Sequence, residues 1–272
     1  MIFDPRITEI MSANQILVDR GIRHAVFLER LKTGETRKLV GFLNDTLLPD
    51  MLEKLERRLK RIRVLGIDPG PVTTRRLQEA IAEQAGLLKA GFSQVNTNFE
   101  KSMLELAKTE VEFQQAILNG IGKPVNISFA LPSVGQLQSV IKSRPMRGKL
   151  LRDWWKDLEV STRRDITNQL RIGIASGESI PKIAKRFEGT ARAAFKDGVY
   201  GRLRRNTESI ARTAVNHVTT QARETLYGAN EDVVKAVQIV AVLDSRTTQI
   251  CMSLDGQQFP VNEGERPPFH HQ

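Results

Sequence analysis

Residues 48–62, LPDMLEKLERRLKRI, decide the fold. Leu48, Leu52, Leu55, Leu59 and Ile62 recur at alternating spacings of four and three, which lays them along one stripe of a helix. Glu53, Lys54, Glu56, Arg57, Arg58 and Lys60 take the other faces. An apolar stripe on so charged a helix needs a surface to bury it. These five residues are therefore candidates for packing on a partner, either a neighbouring helix or another subunit.

Two further stripes follow. Leu77, Ile81, Ala85 and Leu88 form one; Phe92, Val95, Phe99, Met103 and Leu106 form the next, extending to Phe113 and Ile117. An aromatic and Met stripe at this spacing reads as core rather than as a cofactor pocket. Gly66, Pro69, Gly70 and Pro71 break the chain ahead of the second stripe, and Thr73 or Thr74 can cap the helix that carries it. Gly120-Ile121-Gly122-Lys123-Pro124 ends the third. Residues 125–131 are short, apolar and compatible with a strand or an extended arm. The expected N-terminal region, 1–124, is thus a bundle or extended hairpin of long helices.

The middle region, 125–200, is basic. Residues 142–212 hold 18 Lys and Arg against 8 Asp and Glu, and the rest of the chain cancels, so the whole surplus of +10 lies here. Concentrated positive charge attracts polyanions without reading their sequence. Thr162 and Asp165 have the spacing of a capping box opening a helix through Ile166, Leu170 and Ile174, closed at Gly177. Ser179 and Pro181 then open a short helix with Ile180, Ile183, Ala184 and Phe187 on its apolar side. This outline fits a DNA-binding helix-turn-helix as well as any αα-hairpin. The second helix offers few base-reading side chains, which favours a hairpin with a basic exterior and non-specific phosphate contact. The candidate DNA-contact residues are Lys182, Lys185, Arg186, Arg192, Arg202, Arg204 and Arg205.

The C-terminal region, 201–272, begins with a helix from about Thr207 to Tyr227, with Ile210, Ala214, Val218 and Ala222 inward and Gly228 as its cap. His217 has no second His or Cys at ligand spacing and reads as structural. The β-branched run from Val233 to Leu243 reads as a buried strand. Asp244-Ser245-Arg246-Thr247-Thr248 then starts a short helix carrying Ile250, Cys251 and Leu254. Asp255-Gly256 is a turn signal, and Gln257-Gln258-Phe259 a returning strand. The fold class expected is mainly α with a small C-terminal α+β module.

Arg212, Thr213, Arg223, Asp244, Arg246, Thr247, Cys251, Asp255, Gly256, Phe259, Pro267, Pro268 and His270 form an ordered, multi-part pattern. It resembles the signature of the phage head morphogenesis family, the minor head proteins related to the F protein of phage Mu. The resemblance covers roughly residues 160–271 and is only architectural before that. It implies a structural protein of the virion, at the portal vertex and facing the capsid interior, in several copies. The partners it implies are the portal protein, the major capsid or scaffolding protein, and double-stranded DNA. It also allows a DNA-binding internal protein ejected with the genome.

Composition agrees with that class. Six per cent of the 272 residues are aromatic, so the core is built from Leu, Ile, Val and Ala, which favours helices. No apolar run approaches the length of a membrane span, and residues 1–5 lack the features of a signal peptide, so a soluble protein made in the cytosol is expected. A single Cys forms no internal disulfide. Cys251, His270 and His271 are metal-ligand types, and Cys251 with His270 could be read as nucleophile and base. One Cys leaves a tetrahedral site short of thiolates, and a distant His does not make an activated thiol. No metal, cofactor or enzymatic activity is assigned, and the motif's polar residues are expected to hold the fold.

Overall fold

A computed structural model describes residues 13–63, 71–122, 126–241, 243, 245, 247–261, 263–264, 266 and 269, with the side chains of 13–18, 63 and 71–73 outside that description. Helix α1 spans Ala13–Phe42 and α2 Leu48–Arg63; between them Leu43–Leu47 form a π-helical turn, so the rod is continuous. Pro49 accounts for the turn. It has no amide to donate, and the chain widens by one residue just before it, Leu48 N–H bonding to the carbonyl of Leu43.

The second and third stripes are a single helix. Helix α3 spans Pro71–Gly122, 52 residues and about 78 Å at 1.5 Å per residue. The two stripes keep one phase, and the intervening Gly86 and Gly91 disfavour a helix by only about 1 kcal/mol each. Thr73 and Thr74 consequently lie inside the first turns of α3 rather than capping it.

Leu48, Leu55, Leu59 and Ile62 are buried against α3, with Met51 fully buried between them and Leu52 at the edge of the stripe. The partner that this stripe requires is therefore within the same chain, and these side chains offer nothing to another subunit. Arg58 bridges to Glu83 at 2.9 Å and Glu79 at 3.6 Å, all about a third exposed or more. Such pairs contribute at most about 1 kcal/mol, whereas each buried Leu contributes about 1.5–3 kcal/mol, so the apolar stripe holds this pairing.

Helix α4 spans Val134–Lys142, opened by a full capping box between Ser133 and Gln136. Residues 126–132 form an extended arm without strand pairing. Its backbone is met by side-chain amides: Asn119 accepts from Phe129 N at 2.9 Å, Gln115 donates to Phe129 O at 2.6 Å, and Asn230 bonds both the amide and the carbonyl of Ala130.

Helix α5 spans Leu151–Ala175, so Thr162 is a buried mid-helix residue, not a cap. Leu151, Trp155 and Leu158 already continue the inward period of Thr162, Ile166 and Leu170, and no breaker intervenes. Helix α6, Ile180–Glu188, is capped by Ser179 as expected, with Ile183, Ala184 and Phe187 buried. Helix α7 spans Val199–Gly228 and takes in Arg202, Arg204 and Arg205. Strand β1 (Ala236–Gln238) pairs antiparallel with β2 (Gln258–Pro260), and α8 (Gln249–Leu254) lies between them in the chain.

The main helices share one core running from Leu28 in α1 to Leu226 in α7. The lines at 124/125 and 200/201 divide stretches of sequence that contribute to this same core. No helix among the described residues is long and apolar enough to cross a membrane.

Candidate functional site

Three features outside ordinary packing stand out. The first is a buried junction where α1, α3 and α7 meet. Glu110 of α3 is fully buried and accepts hydrogen bonds from His24 Nε2 of α1 at 2.6 Å, from Arg223 Nε of α7, and from Gln114 Nε2 at 2.8 Å. The His24 ring stacks on Phe113 with centroids 3.8 Å apart. Burial pushes the Glu110 carboxyl up, but the hydrogen bond from His24 and the charge of Arg223 outweigh it and leave the pKa below the ordinary carboxylate value. A buried carboxylate satisfied by a neighbouring cation is a clamp. It offers no open position for a substrate.

The second feature is the basic middle region, where most of the expected DNA contacts are already committed. Arg186 forms a fork on Glu178 at 2.6 and 2.7 Å and also donates to Gln169 at 2.9 Å. Its hydrogen bonds hold the Glu178 carboxyl down to about 2. Lys182 pairs with Glu178 at 3.1 Å and Arg202 with Asp165 at 3.1 Å. Arg204 donates to Asn44 in the π-helical turn at 2.5 Å, and Arg205 to the Lys196 carbonyl at 2.9 Å. Lys185 and Arg192 are exposed and make no ion pair among the described residues. So are Lys156, Arg164 and Arg171, which the sequence reading passed over; they recur along the solvent face of α5.

The third feature is the C-terminal module. Thr248 caps α8, accepting from Cys251 N, and Asp255 accepts from Ala241 N at 2.8 Å. Gly256, at φ +76°, turns the chain into β2, where Phe259 faces Val237. Arg266 binds Glu224 of α7 at 2.8 Å and lies over the Phe259 ring, tying the module to the helix. The expected buried strand is much shorter and more open: the strand itself is Ala236–Gln238, with backbone hydrogen bonds continuing at Lys235 and Ile239, and Val233, Val240 and Leu243 are exposed.

This order of elements, a long helix, a strand, a capped turn and a return strand, lies within residues 164–271, which match the family model described as phage Mu protein F like protein. Residues 164–271 are a Mu F-like domain. Comparison with curated proteins gives no match, and no solved structure matches the chain. The similarity to this family suggests a phage head morphogenesis protein.

The motif residues of the Mu F-like domain divide by location. Arg212 pairs with Glu208 on the surface of α7 at 3.1 Å; Thr213 is buried and donates to the Ser209 carbonyl. Arg223 reaches out of the domain, to Glu110 of α3. Thr247, Cys251, Asp255, Gly256 and Phe259 build the C-terminal module. Asp244, Arg246, Pro267, Pro268, His270 and His271 lie outside the described residues. Among the described residues no three His, Cys, Asp or Glu converge as metal ligands. His217 is buried on α7, and that burial lowers its pKa.

Sequence reasoning missed Glu110 and His24. The signal was present for Glu110, an acidic residue four after Leu106 and seven before Ile117 on an otherwise apolar stripe. A charge in that phase requires a buried partner.

Proposed function

We propose that this protein is a minor head protein bound in several copies at the portal vertex on the capsid interior, acting in head morphogenesis and in DNA packaging or delivery. The Mu F-like match over residues 164–271 carries the reading. Two helical surfaces suit it, one on α5 at the start of the matched region and one on α1 ahead of it.

One surface faces DNA. Val160, Arg164 and Arg171 fall within roughly 40° of one another around α5, and Lys156 is one turn from Val160. Cations without internal partners are the ones free to displace counterions from a duplex. Converting Lys156, Arg164 and Arg171 to glutamine is expected to weaken binding to DNA of any sequence and to flatten the slope of log K against log salt by about 3. An unchanged slope in a salt titration contradicts this surface.

The other surface faces the portal. The leucine stripe of α2 is occupied, which leaves Ile22 and Val26, one turn apart on α1 and about half exposed, with Phe27 beside them. Ile22→Glu with Val26→Glu is expected to reduce co-sedimentation with purified portal rings by about tenfold or more, as loss of a docking anchor does, with the melting temperature unchanged. Undiminished co-sedimentation contradicts it.

A further inference from the structure

We propose that this protein associates with itself head to tail, the loop carrying Phe195 in one copy seating on the apolar face of the C-terminal module in the next. The reading above bears on this only in placing several copies around one portal; the contact itself involves neither portal nor DNA.

The loop between α6 and α7 is rigid and strained. It leaves α6 through Gly189 at φ +94°, and Ala194 and Phe195 follow at φ +49° and +58°. A bulky residue in the left-handed region is a backbone outlier that persists only where its surroundings enforce it. Here they do. Thr190 donates to Asp197 through both its amide and its hydroxyl, at 2.7 and 2.8 Å, and Arg205 donates to the Lys196 carbonyl. Gly201 completes the brace, because a Cβ there would stand 2.4 Å from the Phe195 carbonyl oxygen. The product is an aromatic ring 52% exposed between Arg192 and Lys196, two exposed cations without ion pairs among the described residues. Burying a Phe contributes about 1.5–3 kcal/mol, and this loop spends backbone strain to hold one in water.

The C-terminal module presents the complement. Along 236–241 the residues alternate, 237, 239 and 241 partly covered and Ala236, Gln238 and Val240 exposed. Val240 is 57% exposed and Leu243 61%, with Ile250 and Met252 about half exposed on the same module. Residues 229–272 carry three Lys and Arg against six Asp and Glu, and Glu231, Asp232 and Glu263 are exposed. A net-acidic module with exposed apolar side chains, an adaptable Met among them, fits an aromatic knob flanked by cations.

Both surfaces are open in the same chain, so neither covers the other. Two different patches meeting between copies make a heterologous contact, which closes into a ring when the rotation allows. The acidic and basic flanks make that contact salt-sensitive.

Sedimentation of the full chain tests this. Wild type at about 100 µM, a concentration suited to weak contacts, is expected to associate in low salt and to dissociate in high salt. Phe195→Asp and Leu243→Asp, both at exposed positions, are each expected to be monomeric. Mixed one to one, they are expected to form a dimer and nothing larger, since each variant keeps one working surface. The pair Arg192→Glu with Lys196→Glu is expected to abolish association without altering the Phe195 backbone. Monomeric wild type in low salt, variants that associate like wild type, or a mixture that stays monomeric overturns the proposal. So does loss of portal binding by Leu243→Asp while self-association persists, which would make portal the occupant of this face.

Discussion

Replacing Glu110 by alanine is expected to lower the unfolding free energy by about 3–5 kcal/mol, because it strands His24 and Arg223 against a buried position with no anion to meet them. The three residues join three helices, so the loss extends beyond α3. Glu110→Gln keeps the shape and can still accept a hydrogen bond, and it is expected to cost less. Acid titration separates the two contributions. The folded-state pKa of Glu110 lies below its unfolded value, so its contribution is fully present above the unfolded value and is lost as pH falls through the folded one. Glu178 acts in the same direction, losing its contribution as pH falls toward about 2. Urea unfolding across the acid limb is expected to show wild type losing stability more steeply than Glu110→Gln. Equal steepness contradicts the assignment of that limb to the junction.

The second large effect is expected at Trp155. This side chain is fully buried, its ring meeting Phe99 edge to face at 5.5 Å and lying 6.4 Å from Phe92, so it carries the contact of α5 with the middle of α3. Trp155→Ala is expected to destabilise by about 3–5 kcal/mol through lost burial and an unfilled cavity. Trp155→Phe keeps most of the apolar contact and is expected to cost less than half as much. Equilibrium urea unfolding of the two variants checks this; a Trp155→Ala loss below that of Trp155→Phe contradicts the packing role.

The two sites show what the chain's pattern reveals and what it hides. Periodicity placed the stripes of α2 and α3 because each apolar residue repeats in phase with the helix. The same periodicity ran on from Phe92 back to Leu77, and Gly86 and Gly91 were too weak as breakers to separate them. Thr162 looked like a cap because Asp165 follows at the right spacing, but a cap needs a chain end, and Trp155 and Leu158 already continued the inward period. Ser179 is legible as a cap, since Pro181 behind it is tolerated only in the first turn.

The functional surfaces were less legible for a different reason. Net charge located the basic segment, but pairing decides which cations are free, and pairing is long-range: Arg204 meets Asn44 across 160 residues and Arg223 meets Glu110 across 113. The apolar run after Val233 read as buried because composition does not say whether the second face of a strand is covered. In this chain that side, Ala236, Gln238 and Val240, is open.

The portal vertex is the position proposed for this protein. An asymmetric reconstruction of virions tests it most directly: the long α1–α2 rod and α3 beside it are expected as density on the interior side of the portal, in more than one copy. Density for this chain confined to the outer capsid lattice would contradict it.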